Sequence, residues 1–278
     1  MTPSQLRTLA AVAEAGSVVG AAEALHVSQP AVSASIAALA REVGVPLAVR
    51  QGRGLALTPA GTTLARYANR VVGLLGEATE AARAEAGAAA LLRVAAVTSA
   101  GERLVPELLA PYRREHPEVG VALEVGPRDR VWRLLADHAV DLVVAGRPPQ
   151  GSALTVYGRR PNTLVVVGAP TVAAAWVGAA WLLREPGSGT RATTEALLDE
   201  LGIDPPRLTL GSNRAALAGA AAGLGVTLAP REEVGRGLVV ADVPGTPLDR
   251  PYYLAGHAEL PATARRFVAL AREHGLGG

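Results

Sequence analysis

The sequence predicts an α/β protein with an N-terminal all-α winged helix-turn-helix, a long linker helix and a two-lobe α/β region. Three observations predict it. Between Ala21 and Ser33 a short helix, a tight turn and a second helix opened by Ser28 follow one another. From Pro59 to about Ala90 no further proline occurs and apolar residues recur at helical spacing. From Leu91 onward short apolar runs alternate with helical periodicities, which implies a parallel, doubly wound sheet.

Pro3 to Ala15 reads as the first helix, with Leu6, Leu9, Ala10, Val12 and Ala13 turned inward and Gly16 ending it. At the next start but one, the Ser28 oxygen can cap free backbone N–H groups, and Pro30 costs little where those groups lack intrahelical partners. Val32, Ile36, Leu39 and Val43 then share one face, which packs inward. The opposite side carries Pro30, Ala34, Ala37 and Arg41, with Ser33 at its edge and Gln29 at the helix start. A helix so trimmed can sit deep in a major groove, where Gln pairs with adenine and Ser with several base edges. Taken alone, the same face suits an ordinary surface helix equally well. After Gly44, Leu47 to Arg50 and Leu55 to Thr58 can pair as two short strands across Gln51-Gly52-Arg53-Gly54. Arg50 and Arg53 would then reach phosphate or the minor groove; the bland alternative is a hairpin with solvated arginines, and the helix beside it favours DNA contact. The candidate DNA-contacting residues are Ser28, Gln29, Pro30, Ser33, Ala34, Ala37, Arg50 and Arg53.

The pattern Gly16-Ser17, Ala21-Ala22, Leu25, Val27-Ser28-Gln29-Pro30-Ala31-Val32-Ser33, Ile36, Leu39, Gly44, Leu47, Arg50 and Leu57-Thr58-Pro59-Ala60-Gly61 resembles the N-terminal region of the LysR-type transcriptional regulators. Departures fall at Leu9 and Ala48, where that family usually carries Phe, and at Ala40, where it usually carries Glu. The resemblance implies a bacterial regulator that binds double-stranded promoter DNA sequence-specifically, with residues 1–58 as its DNA-binding domain.

Thr58 followed by Pro59 is a strong helix start. Leu64, Ala68, Val71, Leu75, Ala78 and Ala82 then follow a spacing near 3.5, and a helix of about 30 residues spans roughly 45 Å. Residues 59–90 therefore read as a linker and dimerisation helix; the alternative is an amphipathic helix packed on its own chain. Gly73, Gly76 and Gly87 weaken it by about 1 kcal/mol each relative to Ala.

Strands are expected at 92–97, 119–125 and 141–145, with helices at 103–115 and 128–137 between them. Gly146 to Gly151 reads as the crossing to a second lobe. Beyond it, strand candidates lie at 164–167, 181–183, 208–210, 226–228, 238–243 and 252–255, with helices near 192–201 and 214–222. A last helix, Ala262 to His274, is expected to pack back on the first lobe. This layout at 91–278 is similar to the periplasmic-binding-protein-like (type 2) effector domain of the LysR family.

In open α/β sheets ligands bind at the carboxyl ends of strands, where helix starts present free N–H groups. Three stretches meet that description: Thr98-Ser99-Ala100-Gly101, the glycine-rich turn Arg184-Glu185-Pro186-Gly187-Ser188-Gly189-Thr190-Arg191, and Gly211-Ser212-Asn213. By the resemblance they face the cleft between the lobes. The effector candidates are Thr98, Ser99, Ala100, Glu185, Ser188, Thr190, Arg191 and Asn213. Simple helix capping needs only one polar side chain, and the second stretch exceeds that need. Its hydroxyls and guanidinium suit a small anionic metabolite. The stretch is also similar to LysR-type regulators of carbon-fixation or sulfur-assimilation genes.

Zero cysteines among 278 residues exclude disulfides and thiol chemistry, and the five histidines show no ligand spacing, so no metal site and no cofactor are expected. No nucleophile stands beside a base, no catalytic carboxylate pair is evident, and the P-loop ending is missing after Gly189, so the chain reads as a sensor and not an enzyme. Residues 1–60 carry Arg7, Arg41, Arg50 and Arg53 against Glu14, Glu23 and Glu42, a modest phosphate attraction that a homodimer or homotetramer would multiply. No apolar run approaches the roughly 20 residues of a membrane helix and no signal-peptide pattern is seen, so a cytoplasmic location is expected. The rival reading, a non-catalytic cytoplasmic solute-binding module, leaves the helix-turn-helix pattern without a role.

Overall fold

The computed structural model describes residues 1–51, 54–86 and 90–277. The chain divides into two compact units, Met1–Ala88 with Ala136–Ala139, and Ala89–Leu135 with Val140–Gly278.

In the first unit, α1 (Pro3–Ala15) opens on a capping box between Thr2 and Gln5 and ends at Gly16, whose φ of 64° is left-handed. Helix α2 (Val18–Leu25) starts under Ser17, and α3 (Gln29–Val43) starts under Ser28 and stops at left-handed Gly44. Strands β1 (Ala48–Gln51) and β2 (Gly54–Leu57) pair antiparallel as the wing. Helix α4 (Pro59–Glu85) opens under Thr58, whose hydroxyl accepts from Gly61 N–H and donates to the Pro46 carbonyl. A Cβ at Gly61 would lie 1.9 Å from the Leu47 carbonyl oxygen, so only glycine lets α4 begin this close to the wing. Leu9, Val12, Val32, Ile36, Leu39, Leu47 and Ala65 form the core.

Two expectations for this unit are corrected. Ala13 is exposed and Thr8 is buried in its place, its hydroxyl donating to the Ser4 carbonyl, because α1 is covered by α3 on one side and α4 on another. Val43 is 41% exposed, since the last turn of α3 runs past the core. On α4, Ala68 is buried and Leu64 half-buried within the unit, whereas Val71, Leu75, Ala78 and Ala82 are exposed. At 27 residues α4 is about 40 Å long.

In the second unit, β3 (Leu91–Val97) leads through a π-helical turn, Ala100–Leu104, into α5 (Val105–Glu115), β4 (Gly120–Gly126), α6 (Arg128–Ala136), β5 (Leu142–Ala145) and β6 (Thr155–Arg160). The second lobe holds β7 (Thr163–Gly168), α7 (Pro170–Ala174), β8 (Trp181–Leu183), α8 (Gly189–Leu201), β9 (Arg207–Thr209), α9 (Asn213–Ala221), β10 (Thr227–Pro230), β11 (Val239–Val240) and β12 (Leu248–Asp249). The chain then returns as β13 (Tyr252–Gly256) and α10 (Ala262–Glu273).

The first lobe's sheet runs β4-β3-β5-β13-β6. Helices α5 and α10 cover one face with Leu108, Tyr112 and Phe267, and α6 covers the other with Val131, Trp132 and Leu135. In the second lobe Trp181, Leu197, Leu198, Val226 and Leu228 form the centre.

The fully parallel sheet expected from the alternation is not what forms. Strand β3 runs parallel to β4 and β5, but β13 is antiparallel to both β5 and β6, and β7 is antiparallel to β10, β11 and β12. The chain leaves the first lobe and returns once, and the returning strand runs against its neighbours. The crossing is also misplaced in the sequence reading: the chain stays in the first lobe through β6, crosses at Pro161-Asn162 and comes back at Arg250-Pro251. Strand β6 is masked by Gly158, which the fold requires because a Cβ there would lie 2.0 Å from the Leu276 carbonyl oxygen. The strand expected over 238–243 contracts to β11.

Candidate DNA-reading face and effector cleft

Helix α3 turns Val32, Ile36 and Leu39 into the core, and this orientation leaves Ser28, Gln29, Pro30, Ala34 and Ala37 exposed with Ser33 half-buried at the edge. The face expected from sequence is thus exposed, with small residues from Pro30 to Ala37 and Arg41 exposed at its far end. Ser28 Oγ accepts from Ala31 N–H at 3.4 Å, which leaves its own O–H able to donate outward. Arg50 is exposed on β1; Arg53 lies outside the described residues.

Between the two lobes of the second unit lies a cavity of about 390 Å³. It is built from strand ends. Thr98 and Ser99 follow β3, Pro127 and Arg128 follow β4, and Gly146 and Arg147 follow β5. The second lobe contributes Arg184 and Glu185 after β8, and Ser188, Gly189 and Thr190 at the start of α8. Asn162 and Arg250, one from each crossing, and Tyr252 of β13 close the wall.

Arg184 is only 3% exposed and forms a bidentate pair with Glu185, Nε to Oε2 at 2.8 Å and Nη2 to Oε1 at 2.9 Å. Burial opposes ionisation of Glu185, but the Arg184 hydrogen bonds and its own backbone N–H outweigh burial and hold the carboxyl below its ordinary value. This pair cancels, so Arg128, Arg147 and Arg250 give the cavity an excess of positive charge. Arg128 donates to the Arg147 carbonyl at 2.9 Å and lies 3.8 Å from Asp129, which is outside the lining, and the guanidinium groups of Arg147 and Arg250 form no ion pair among the described residues. Ser188 makes no capping bond to α8, and it lines the cavity together with Gly189 and Thr190 of the first turn, where N–H groups lack intrahelical partners. Burial pushes the Tyr252 phenol up, against a hydrogen bond with Ser99, so it stays a neutral donor at ordinary pH.

Of the residues singled out in the sequence, Thr98, Ser99, Glu185, Ser188 and Thr190 line one cavity. Ala100 is buried behind Ser99 as the first residue of the π-helical turn. Arg191 stands outside the lining and braces it, its Nη1 donating to the Arg184 carbonyl at 3.1 Å and its Nε to Glu195 at 2.9 Å. Asn213 is buried and donates to Glu233, while Ser212 caps α9 by accepting from Ala215 N–H at 3.1 Å. The third stretch is therefore built as a helix cap. Sequence reasoning missed Arg128, Arg147, Asn162, Arg250 and Tyr252. The strand-end rule applied to β4 and β5 would have found the first two.

The family model described as the LysR substrate binding domain matches residues 85–276, and the one described as the bacterial regulatory helix-turn-helix protein, lysR family, matches residues 3–62. The chain belongs to the LysR family. A LysR protein of this organisation is a DNA-binding transcriptional regulator with an effector-binding domain, and the curated relatives are regulators and not enzymes. The HTH-type transcriptional regulator CbbR of Rhodospirillum rubrum is 34% identical over 265 residues, covering 90% of this chain and 88% of that one. A RuBisCO operon transcriptional regulator of Acidithiobacillus ferrooxidans is 33% identical over 267 residues, covering 91% and 86%. Among solved structures, the Synechocystis PCC6803 CcmR regulatory domain in complex with 2-PG aligns with a TM-score of 0.61 and 26% identity, over 66% of this chain and 97% of that one. Among the described residues, no helix of this LysR chain is long and apolar enough to cross a membrane.

Proposed function

We propose that this LysR regulator reads promoter DNA as a homodimer or homotetramer in the cytoplasm and is switched by a small anionic metabolite held between the lobes. Residues 1–58 act as the winged helix-turn-helix, 59–90 as the linker and dimerisation helix, and 91–278 as the effector domain. The observation that carries the anion is the imbalance at the cavity: Arg147 and Arg250 have no carboxylate partner among the described residues, Arg128 has Asp129 at 3.8 Å outside the lining, and an uncapped helix start lies beside them. The exposed Val71 and Leu75 on α4 support pairing with a second copy. The CcmR complex with 2-PG supports a small effector, and the Acidithiobacillus relative supports a RuBisCO operon as the first promoter to test. Anion binding shifts the lobes, and paired half-sites are then engaged differently.

A mobility-shift titration on such a promoter, with salt and anions varied, tests the reading. Gln29→Ala should relax base preference at one position by roughly tenfold, within the 1–3 kcal/mol of a bidentate base contact. Arg50→Ala should instead weaken binding evenly across sequences and lower the salt slope by about one. Silence of both variants would remove α3 and the wing from the DNA contact.

A further inference from the structure

The π-helical turn Ala100–Leu104 follows directly on Thr98-Ser99, and from it Arg103 reaches from the first lobe to the second. Its guanidinium pairs with Glu232, in the short turn Arg231–Glu233 after β10, and lies 3.8 Å from Glu107 of α5. Arg160, the last residue of β6 before the crossing, lies 3.9 Å from Glu107 and 4.0 Å from Glu232. Two guanidinium groups and two carboxylates therefore alternate in a closed ring, with three members on the first lobe and Glu232 alone on the second. None of the four lines the cavity.

The turn that carries Arg103 is held from behind. A Cβ at Gly101 would lie 2.6 Å from a Val125 methyl, so the π-helical turn is pressed against β4 and has little room to slide. Arg103 Nε is buried without a hydrogen-bond partner, so the side chain forgoes one bond while its terminal nitrogens meet the carboxylates. Isolated surface pairs contribute little to stability, but a ring in which each charge has two opposite neighbours couples its members.

We propose that Arg103, Glu107, Arg160 and Glu232 form a latch between the lobes, outside the effector cavity, and that the π-helical turn ties the latch to Ser99 inside it. Arg103 is a positioning residue in this arrangement: it acts on closure and does not touch the ligand. The inference goes beyond the effector reading and holds whichever anion the cavity takes.

The test is a double-mutant cycle in this chain without ligand, reading amide hydrogen exchange at the two crossings, at Asn162, Thr163, Asp249, Arg250 and Tyr252. Arg103→Met and Glu232→Gln should each speed exchange there by roughly three- to tenfold, and the double variant should be no faster than the faster single one. Glu232→Gln does not alter the π-helical turn, so agreement between the two variants separates a latch from local damage. High salt should raise wild-type exchange toward that of the variants and leave the variants nearly unchanged. Additive effects, or crossings that ignore both substitutions, would overturn the latch and leave the effector reading intact.

Discussion

Serine opens helical segments in both units, and the two regions use it differently. In the first unit Ser17 and Ser28 accept hydrogen bonds from Gly20 and Ala31 N–H, so their oxygens serve their own helices. At the cleft, Ser99 and Ser188 make no such bond and line the cavity instead. A hydroxyl oxygen that caps a helix helps to fix the fold, whereas at the cleft Ser188 caps nothing and Ser99 bonds to Tyr252 in the cavity wall. Ser212 sharpens the contrast: it belongs to the cleft-side lobe yet caps α9 as the first-unit serines do, and it does not line the cavity. Deprived of its serine cap, the start of α8 is held by Arg184 paired with Glu185, by Arg191 on the Arg184 carbonyl, and by Ser188 N–H on the Glu185 carbonyl at 3.2 Å.

That substitution of one support for another gives the largest expected effect. Arg184→Ala should lower the stability of the effector domain by about 2 kcal/mol, less than a fully buried pair because Glu185 keeps part of its side chain in water. Urea denaturation measures it, and a loss below about 0.5 kcal/mol would mean that α8 needs no such brace. Next comes the direct contrast: Ser17→Ala should cost about 1 kcal/mol by removing a cap. Ser188→Ala should stay within about 0.5 kcal/mol while weakening binding of inorganic phosphate by calorimetry. The reverse order would break the distinction between the two serines.

The smallest effect concerns Glu233, the carboxylate that Asn213 meets. Burial pushes its carboxyl above the ordinary value, against Arg103 and the Asn213 hydrogen bond. A carboxyl that holds its proton more tightly in the folded chain adds stability at low pH and loses it as pH rises through the folded value. Glu233→Gln copies the protonated form and can still accept from Asn213, so its melting temperature should slightly exceed that of the wild type near neutral pH. The gap should close below about pH 4, where unfolded carboxylates also protonate.

The sequence was most legible where a single residue type decides a boundary. Gly16 and Gly44 end α1 and α3 at left-handed positions, and Trp181–Leu183 is a strand over the residues expected. The outer face of α3 could be read because burying Val32, Ile36 and Leu39 fixes everything opposite. Legibility failed where partners distant in sequence decide. Strand β6 looks broken at Gly158 until the C-terminal segment packs on it, and Arg147 and Arg250 line one cavity only because two separate connections converge on it. Hydroxyl-rich stretches gave the cleft its second and first walls, but spacing could not tell Ser188 from Ser212, since whether a serine caps its helix depends on a rotamer.

The crossings have a further consequence. Strands β6 and β13 are antiparallel neighbours whose ends meet in register at Arg160 and Tyr252, and Asn162 and Arg250 bond to each other twice, Arg250 N–H to the Asn162 carbonyl at 2.9 Å and Asn162 Nδ2 to the Arg250 carbonyl at 3.1 Å. Topologically, the whole second lobe is the loop of a β-hairpin. A domain inserted there imposes almost no separation on the strands that flank it, so each lobe can collapse on its own core while the hairpin keeps both ends of the insertion together. Replacing the lobe by a short Asn-Gly turn would preserve the five-stranded register, and such an insertion point is one at which a whole lobe can be gained or exchanged without redesigning its host.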